Sequence, residues 1–472
     1  MKKVLLLVSV VLFSLSISAC NQASGPSSSN QQNETNVEEG QGQGQEQEPG
    51  QGDDSTEHND GDEESEGNDS GEDNNVQQTS GYNLKTGSDF YSSIAEIVGQ
   101  NSPKHFMPSS TAPSQQVTVG YLDLDNKDVP IWYDEDTGTV YFYADDVTTS
   151  GGTKKLILNE ESSGMFRAMS SLESIDVSKF DTSNVVYMGN MFDGCEKLVS
   201  LNLSNFDTSK VILMAEMFRN CTSLESLNIS SFDITSVNSM VSMFMNCKKL
   251  EHLDISSFNT KNVEHMGRLF AGCVKLVELD VSGFNTSNVV DMGEMFASCE
   301  SLESINVSNF DTSNVESMYA MFSGCAKLQN IDVSNFNTSK VTKMQLLFSD
   351  CTTLQNINLS TFTLNENNKN LSYLFYNCTG LKEIDISGFN TSNVTEMICM
   401  FSECSNLEKI LVSDNFVLTK ITNKGFPMFE NCTKLKGGAG TTFSSKNISA
   451  QYAHIDEGET NPGYFTRKTN NN

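Results

Sequence analysis

Tryptophan, proline, histidine and basic residues are all scarce in this sequence. Its 472 residues include one Trp, 8 Pro and 5 His, and 30 Lys and Arg stand against 61 Asp and Glu. A formal net charge of −31 without a basic stripe argues against a nucleic-acid partner, because phosphates would be repelled. The histidines show no spacing with cysteine typical of a tetrahedral metal site, and no serine lies in a G-x-S-x-G motif. The sequence therefore predicts no metal, no other cofactor and no catalytic residues.

A long apolar run occurs at the start of the chain. Lys2 and Lys3 precede an apolar stretch at 4–17, which is too short to cross a bilayer core of about 30 Å and is typical of a signal peptide. The residues I-S-A-C at 17–20 resemble a bacterial lipobox. This resemblance implies a signal peptide at 1–19 and an acylated Cys20 that anchors the protein to a membrane, whereas an ordinary cleavage site ending in cysteine is the alternative.

The next segment, 20–81, has almost no residues that could form a core. Residues 21–80 contain 16 acidic residues and no Lys, Arg or aromatic side chain. Such a segment buries too little apolar surface to offset its chain entropy, so we predict a disordered linker. It would hold the folded part away from the membrane.

From residue 165 onward the chain repeats one unit. Phenylalanines recur every 26 residues, with small slips at the end, and they are Phe166, Phe192, Phe218, Phe244, Phe270, Phe296, Phe322, Phe348, Phe375, Phe401 and Phe429. A fixed period of this length is typical of stacked supersecondary units that bury their apolar sides against one another.

Each unit has two parts with different periods. Residues 200–204 read S-L-N-L-S and alternate in polarity, which predicts a strand. Val211, Met214, Met217 and Phe218 share one face of a short predicted helix, which Thr208 and Ser209 would cap. Gly or Asn two residues after the phenylalanine predicts a left-handed helix end, at Gly194, Asn220, Asn246, Gly272, Gly324, Asn377 and Asn431.

The full phrase N-F-D-T-S-N-V-x-x-M-x-x-M-F-x-x-C-x-x-L resembles the BspA-type leucine-rich repeat, a group also described as mycoplasma-lipoprotein-like repeats of unknown function. The resemblance covers about 165–435. It implies an α/β repeat solenoid of coils with one short strand and one short helix each. It also implies a surface-exposed binding protein or adhesin of the cell envelope, with host extracellular proteins such as fibronectin and fibrinogen as expected partners. No catalytic residues come with this family.

The flanking segments are expected to cap the repeats. In the N-terminal cap, 82–164, helical patterning at 89–98 precedes aromatic strands at 131–133 and 139–143, which flank a hairpin loop. Without a cap the first repeat would expose its core face and a strand edge. The pattern decays after Gly437-Gly438, so 436–472 is predicted to form the C-terminal cap.

Ten of the 12 cysteines lie in register between the helix end and the strand, from Cys195 to Cys432. An exported chain with many cysteines favours disulfides. However, the first repeat has Met169 at this position, which indicates an apolar slot filled by buried thiols. Stacked units would place these residues within bridging distance, so disulfides remain open.

Residues between the apolar positions of each strand should face outward and form an extended surface. The candidate binding residues are Asp176, Asn202, Asn228, His252, Asp254, Glu278, Asp280, Asn306, Asp332, Asn358 and Asp385. We expect this face to bind a host or neighbouring-cell protein or glycan. Two alternatives are open: the Asn and Asp side chains stabilise the strand ladder alone, and the protein is a structural surface-layer spacer without a specific ligand. The sequence gives no oligomeric state.

Overall fold

The structure is a computed structural model that describes residues 81–124, 127–149 and 153–469. The chain divides into units Met1–Gln78 and Thr79–Asn472, and the described residues belong to the second. The predicted signal peptide, Cys20 and residues 20–80 of the predicted linker lie outside the described residues, and the predicted domain boundaries stay predictions. None of the helices in the described part is long and apolar enough to cross a membrane.

Regular elements are short. Before the repeats lie β1 (Gly81–Asn83), α1 (Gly87–Val98), β2 (His105–Pro108), β3 (Gly120–Tyr121), β4 (Pro130–Asp134), β5 (Thr139–Phe142) and β6 (Lys155–Ile157). The later strands are β7 (Ser174–Ile175), β8 (Phe180–Asp181), β9 (Ser200–Asn202), β10 (Ser226–Asn228), β11 (Asn356–Asn358), β12 (Glu383–Asp385), β13 (Lys409–Val412) and β14 (Thr466–Arg467). Two 3-10 helices, Ala450–Tyr452 and Gly458–Thr460, lie between β13 and β14.

The N-terminal region contains the helix and hairpin predicted for it. Thr86 caps α1 by accepting the Asp89 N–H, and β4 and β5 pair antiparallel. They belong to a five-stranded sheet of order β3-β4-β5-β2-β7, in which β2 runs parallel to both β5 and β7. Because β7 lies in the first repeat, this sheet joins the N-terminal region to the repeats.

The strand prediction is confirmed at both ends of the repeats and holds less well between them. β9 pairs in parallel with β10, and β11, β12, β13 and β14 form a second parallel sheet. The repeats between residues 252 and 333 contain no assigned strand among the described residues. There the N–H to carbonyl distances lengthen, to 3.4 Å from Glu303 to Val277 and 3.5 Å from Gln329 to Glu303.

The prediction of a short helix in each repeat is wrong. Met217 N–H donates to the Met214 carbonyl at 3.3 Å, three residues back, whereas Glu216 N–H donates to Val241 in the next repeat at 2.8 Å. Because alternate N–H groups bond to the neighbouring repeat, the i to i−4 ladder of an α-helix cannot form. Thr208 is therefore not a helix cap. Its buried Oγ1 donates to the Asp233 carbonyl and accepts the Asp233 N–H, both at 2.8 Å, and so links two repeats.

Two residues per repeat have positive φ, four positions apart. The predicted left-handed residues, such as Asn220 with φ 59° and Gly272 with φ 74°, are confirmed in that conformation although no helix precedes them. A four-residue turn with positive φ at its third residue is a type II turn. A second positive-φ column was not predicted, and its members are Gly164, Asn190, Glu216, Ser242, Arg268, Glu294, Ala320, Leu346, Tyr373 and Cys399. The residue types in this second column do not indicate a positive φ, because few of them favour that conformation.

Consecutive repeats lie in register. Parallel bridges join residues one period apart, namely Glu161, Tyr187, Leu213, Ser239, His265, Asp291, Ser317 and Lys343. One hydrophobic cluster extends from Leu84 to Phe465. The eleven repeated phenylalanines stack within it with centroids 5.5 to 6.0 Å apart and planes within 13° of each other. Tyr464 and Phe465 close the stack against Phe429.

The predicted ladder of buried thiols is confirmed. The ten cysteines in register are all free and buried. The Cys221 Sγ donates to the Phe192 carbonyl of the preceding repeat at 3.2 Å, and the other members of the column make the same contact. Burial raises the pKa of Cys221 to about 12, so this thiol stays protonated at neutral pH.

One repeat departs from the pattern. Its cysteines, Cys351 and Cys378, are 27 residues apart, and Asn368 takes the position that Val341 and Val394 fill in the neighbouring repeats. Asn368 is 0% exposed, and neither its Oδ1 nor its Nδ2 has a hydrogen-bond partner among the residues that the structure describes. An unpaired buried amide lowers the free energy of unfolding, so this repeat is expected to be less stable than its neighbours.

The Asn368→Val substitution is expected to raise the free energy of unfolding by about 1–3 kcal/mol, because it removes the unpaired amide from an apolar position. Urea titration followed by circular dichroism measures the change. Asn367→Val is the matched control, since Asn367 is exposed, and it should change little. A loss of stability in Asn368→Val alone would show that the amide is satisfied in solution.

Candidate binding surface

The predicted binding residues lie in two rows on the strand side of the repeats. The first row has the Asp or Asn from the predicted strand of each repeat, namely Asp176, Asn202, Asn228, Asp254, Asp280, Asn306, Asp332, Asn358 and Asp385. Except for Asp176 and Asp385, which are half-buried, these residues are exposed. The second row, two residues earlier in each repeat, includes Ser174, Ser200, Ser226, His252, Glu278, Ser304, Asn330, Asn356, Glu383 and Lys409.

Each first-row side chain forms a local turn. The Asp254 Oδ1 accepts the Ser256 N–H at 3.0 Å and the Ser256 Oγ–H at 2.7 Å. The serine two residues later donates its N–H in the same way to every other member of the row, at 2.9 to 3.2 Å. These are Asx-turns, which Asp and Asn favour. The row therefore has a structural role in every repeat.

The Asx-turn engages only one of the two polar atoms at the end of each first-row side chain. In the part of the chain that the structure describes, the Nδ2 atoms of Asn202 and Asn228 and the Oδ2 atoms of Asp254 and Asp280 have no hydrogen-bond partner. The bonds from Ser256 hold the pKa of Asp254 below its ordinary value, and those from Ser282 do the same for Asp280. The row thus presents amide donors and ionised carboxylate acceptors with fixed orientations.

His252 and Glu278 lie together in the second row. Their side chains are 70% and 81% exposed, and His252 Nδ1 lies 3.4 Å from Glu278 Oε1. Because both are so exposed, the contact contributes little to stability. Among the predicted site residues, the structure therefore brings this pair into contact and keeps the others in parallel rows.

The same surface continues into the N-terminal region, which the sequence did not indicate. Trp132 pairs with Tyr141 across β4 and β5, and Tyr141 pairs with Met107 of β2. On the other side of β2, Asp176 N–H donates to the Phe106 carbonyl at 2.9 Å. The row Trp132, Tyr141, Met107 and Asp176 therefore leads directly into the Asp and Asn row of the repeats. Alternation within β4 and β5 indicates only that Trp132 and Tyr141 have a common direction relative to their strands, and not that their side of the sheet continues to Met107 and the repeats.

A matching family model identifies the repeats. The model described as "Mycoplasma protein of unknown function, DUF285" matches residues 160–278, 271–379 and 365–459. The chain belongs to this family. The DUF285 matches contain all the predicted binding residues, whereas Trp132, Tyr141 and Met107 precede them. No curated protein matches the chain.

Asp193 and Arg219 form a partly buried ion pair within the first DUF285 match, and both carboxylate oxygens of Asp193 accept hydrogen bonds. Asp193, which is 5% exposed, accepts the Arg219 Nε at 2.9 Å and Nη2 at 2.7 Å, together with the Asn220 amide at 3.3 Å. Arg167 of the preceding repeat lies 3.6 Å away. These contacts join three repeats and leave Asp193 no free atom for a ligand. Within the described ranges, no group of three or more His, Cys, Asp or Glu could hold a metal ion.

Proposed function

We propose that this protein is a lipid-anchored adhesin of the cell envelope that binds a host or neighbouring-cell protein or glycan with its strand side. The lipid on Cys20 would hold it on the membrane, and the linker 20–81 would expose the folded part. We further propose that the repeats are of the BspA leucine-rich type and form a solenoid. In-register bridges and the stacked phenylalanines support the solenoid. The proposal includes no catalytic step and no nucleic acid.

The observation that carries the binding role is the fixed orientation of the first row. Each Asx-turn holds one side-chain oxygen on the backbone, so the remaining polar atom projects with little freedom. A ligand that binds such a surface loses less side-chain entropy than one that binds mobile groups. Repetition across many parallel repeats gives an extended surface instead of a pocket, which suits a polymer.

A spacer role is the second candidate function. The Asx-turns account for Asp and Asn in every repeat without any ligand, because the turn itself requires them. A structural surface-layer protein would keep these residues for stability alone. Versions of the chain with fewer repeats should then perform as well on the cell surface as the full-length protein.

Reversal of charge at the centre of the first row tests the binding role. The double variant Asp254→Lys and Asp280→Lys is expected to weaken binding to purified fibronectin, fibrinogen or cell-surface glycan by at least about tenfold, since each tenfold loss corresponds to about 1.4 kcal/mol. Binding is measured by surface plasmon resonance with the chain from Thr79 to Asn472, which contains the whole hydrophobic cluster.

Two controls make this result specific. Glu264→Lys with Glu316→Lys changes the charge by the same amount at exposed positions outside both rows and should leave binding unchanged. Asp254→Asn keeps the Asx-turn acceptor while it replaces the free carboxylate oxygen. Equal loss in both double variants would indicate a general charge effect, and unchanged binding in the Asp254 and Asp280 variant with intact folding would contradict a site on these rows.

A further inference from the structure

Three residues at the N-terminal end of the strand side form an aromatic platform, consisting of Trp132, Tyr141 and Met107. The Trp132 and Tyr141 rings have centroids 5.7 Å apart and planes 28° apart, so they stack across β4 and β5. Register places the Met107 side chain beside Tyr141 on the next strand. All three side chains are partly exposed.

The platform lies on the side of the sheet that α1 does not cover. Side chains alternate along a strand, and the neighbours Ile131, Val140 and Phe106 are 0 to 1% exposed in the core beneath α1. Trp132, Tyr141 and Met107 therefore point the other way. Large aromatic side chains on an exposed sheet face are typical of interaction sites, because their apolar area is left in contact with water.

The surface beside the platform is polar but largely uncharged. From the platform to β10 the two rows contain amides and hydroxyls, such as Asn202, Asn228 and Ser200, with a charge at Asp176. Carboxylates become frequent only from Asp254 onward. Beside the second row, His105 Nδ1 of β2 lies 2.8 Å from Ser174 Oγ, and the two side chains add polar atoms to this surface.

We propose that the aromatic platform binds a neutral linear glycan whose chain continues along the Asn202 and Asn228 part of the first row. This inference rests on the proposed binding role of the strand side. A pyranose ring has an apolar face of C–H groups that stacks on an aromatic ring, and its hydroxyls both donate and accept hydrogen bonds. The Nδ2 atoms of Asn202 and Asn228 supply donors for them, and the Asp176 Oδ2, which has no hydrogen-bond partner within the described residues, supplies an acceptor.

The hydrogen bonds favour a glycan over a basic peptide. A lysine or arginine on Trp132 would gain only about 0.5–1 kcal/mol from an exposed ring, so tight binding of a basic peptide would need several carboxylates beside it. Asp134 of β4 and Asp176 of the first row each offer a ligand one oxygen, because their Oδ1 atoms accept N–H groups of their own turns, and amides and hydroxyls predominate in the rows beside them. Strands also repeat about every 4.8 Å across a sheet, a spacing that suits successive sugars of an extended chain.

Trp132 is the one tryptophan of the chain, so its fluorescence reports directly on the platform. The experiment titrates the chain from residue 20 onward, produced without lipid, with linear neutral oligosaccharides of β-linked and α-linked glucose, mannose and galactose. An oligolysine peptide and an oligoproline peptide are tested in parallel. We expect at least one neutral oligosaccharide to shift the Trp132 emission to shorter wavelength with saturation.

Variants then locate the site. Tyr141→Ala is expected to weaken that binding by at least about tenfold, and Tyr141→Phe, which keeps the ring, should restore most of it. Tyr91→Ala is the matched control, because Tyr91 is an exposed tyrosine on α1, and it should bind as the unchanged chain does. Circular dichroism confirms that each variant is folded.

Other outcomes overturn the inference. No emission change with any neutral oligosaccharide, or a change with oligolysine or oligoproline alone, contradicts a glycan platform. If fibronectin or fibrinogen binding still depends on Asp254 and Asp280 in that case, the proposed function stands and only the platform's ligand is wrong. If that dependence is also absent, the proposed function fails as well.

Discussion

The Phe270→Ala substitution is expected to lower the free energy of unfolding by about 3–5 kcal/mol. Phe270 is 0% exposed and stacks between Phe244 at 5.6 Å and Phe296 at 5.8 Å. Removal of its ring leaves a cavity and deprives both neighbours of an aromatic contact, and repeats bonded on both sides have little freedom to collapse into the space. Urea unfolding followed by circular dichroism measures the loss.

Two further variants separate the stacking contribution from burial in general. Phe270→Leu keeps apolar volume without the ring, so its loss should be smaller. Val277→Ala removes an apolar side chain that is 38% exposed in the same repeat and should change stability by less than about 1 kcal/mol. A Phe270→Ala variant as stable as Val277→Ala would contradict a continuous core through the middle repeats.

The Asp456→Asn substitution is expected to lower the free energy of unfolding by about 3–5 kcal/mol, because a buried charged acceptor with several donors is lost. Asp456 is 6% exposed. Its Oδ2 accepts the N–H groups of Ala439 and Thr441 at 2.8 and 2.9 Å, and its Oδ1 accepts the Thr441 hydroxyl at 2.7 Å and the Gly458 N–H at 3.0 Å. These bonds hold the C-terminal segment together.

The same carboxylate should make stability depend on pH. Burial acts to raise the pKa of Asp456, but the bonds from Thr441, Gly458 and Gly463 outweigh it and lower the pKa to about 2. Because the folded-state pKa lies below the unfolded value of about 3.9, the contribution of about 2.6 kcal/mol is fully present above about pH 5 and disappears as the pH falls through 2. Urea titrations between pH 5 and 2 measure this slope.

Asp456→Asn should lose that part of the pH dependence. The control is Glu459→Gln, an exposed residue in the same segment, which should keep both the stability and the slope. An unchanged slope in Asp456→Asn would assign the acid sensitivity to other carboxylates, such as Asp207 or Asp233, whose pKa values are also lowered by hydrogen bonds from their own turns.

Local patterns in the sequence predicted the period, the core positions and the buried thiols, because each follows from which residues must avoid water. The helix was predicted wrongly from Val211, Met214, Met217 and Phe218, which do share one buried face. A turn of two type II bends presents the same positions inward. The helix and the two-bend turn differ in the partner of the Glu216 N–H. That partner lies in the next repeat, so the residue type at position 216 does not reveal it.

Local sequence patterns also predict only part of the candidate site. The outward direction of the Asp and Asn row follows from alternation within one strand, and the serine two residues later was a readable signal for the Asx-turn. The extension of the row to Trp132 depends on β2 lying between β5 and β7. That order joins residues far apart in the chain, so no local pattern could indicate it.

In-register bonding between adjacent repeats also bears on how such a gene can change length. The repeats between Glu161 and Lys343 bond to their immediate neighbours through equivalent atoms. Duplication or deletion of one whole 26-residue module in this range would therefore preserve each surviving junction, and would add or remove a single layer of about 4.8 Å. Recombination between such modules can thus vary the length of the surface while each junction keeps the same hydrogen bonds.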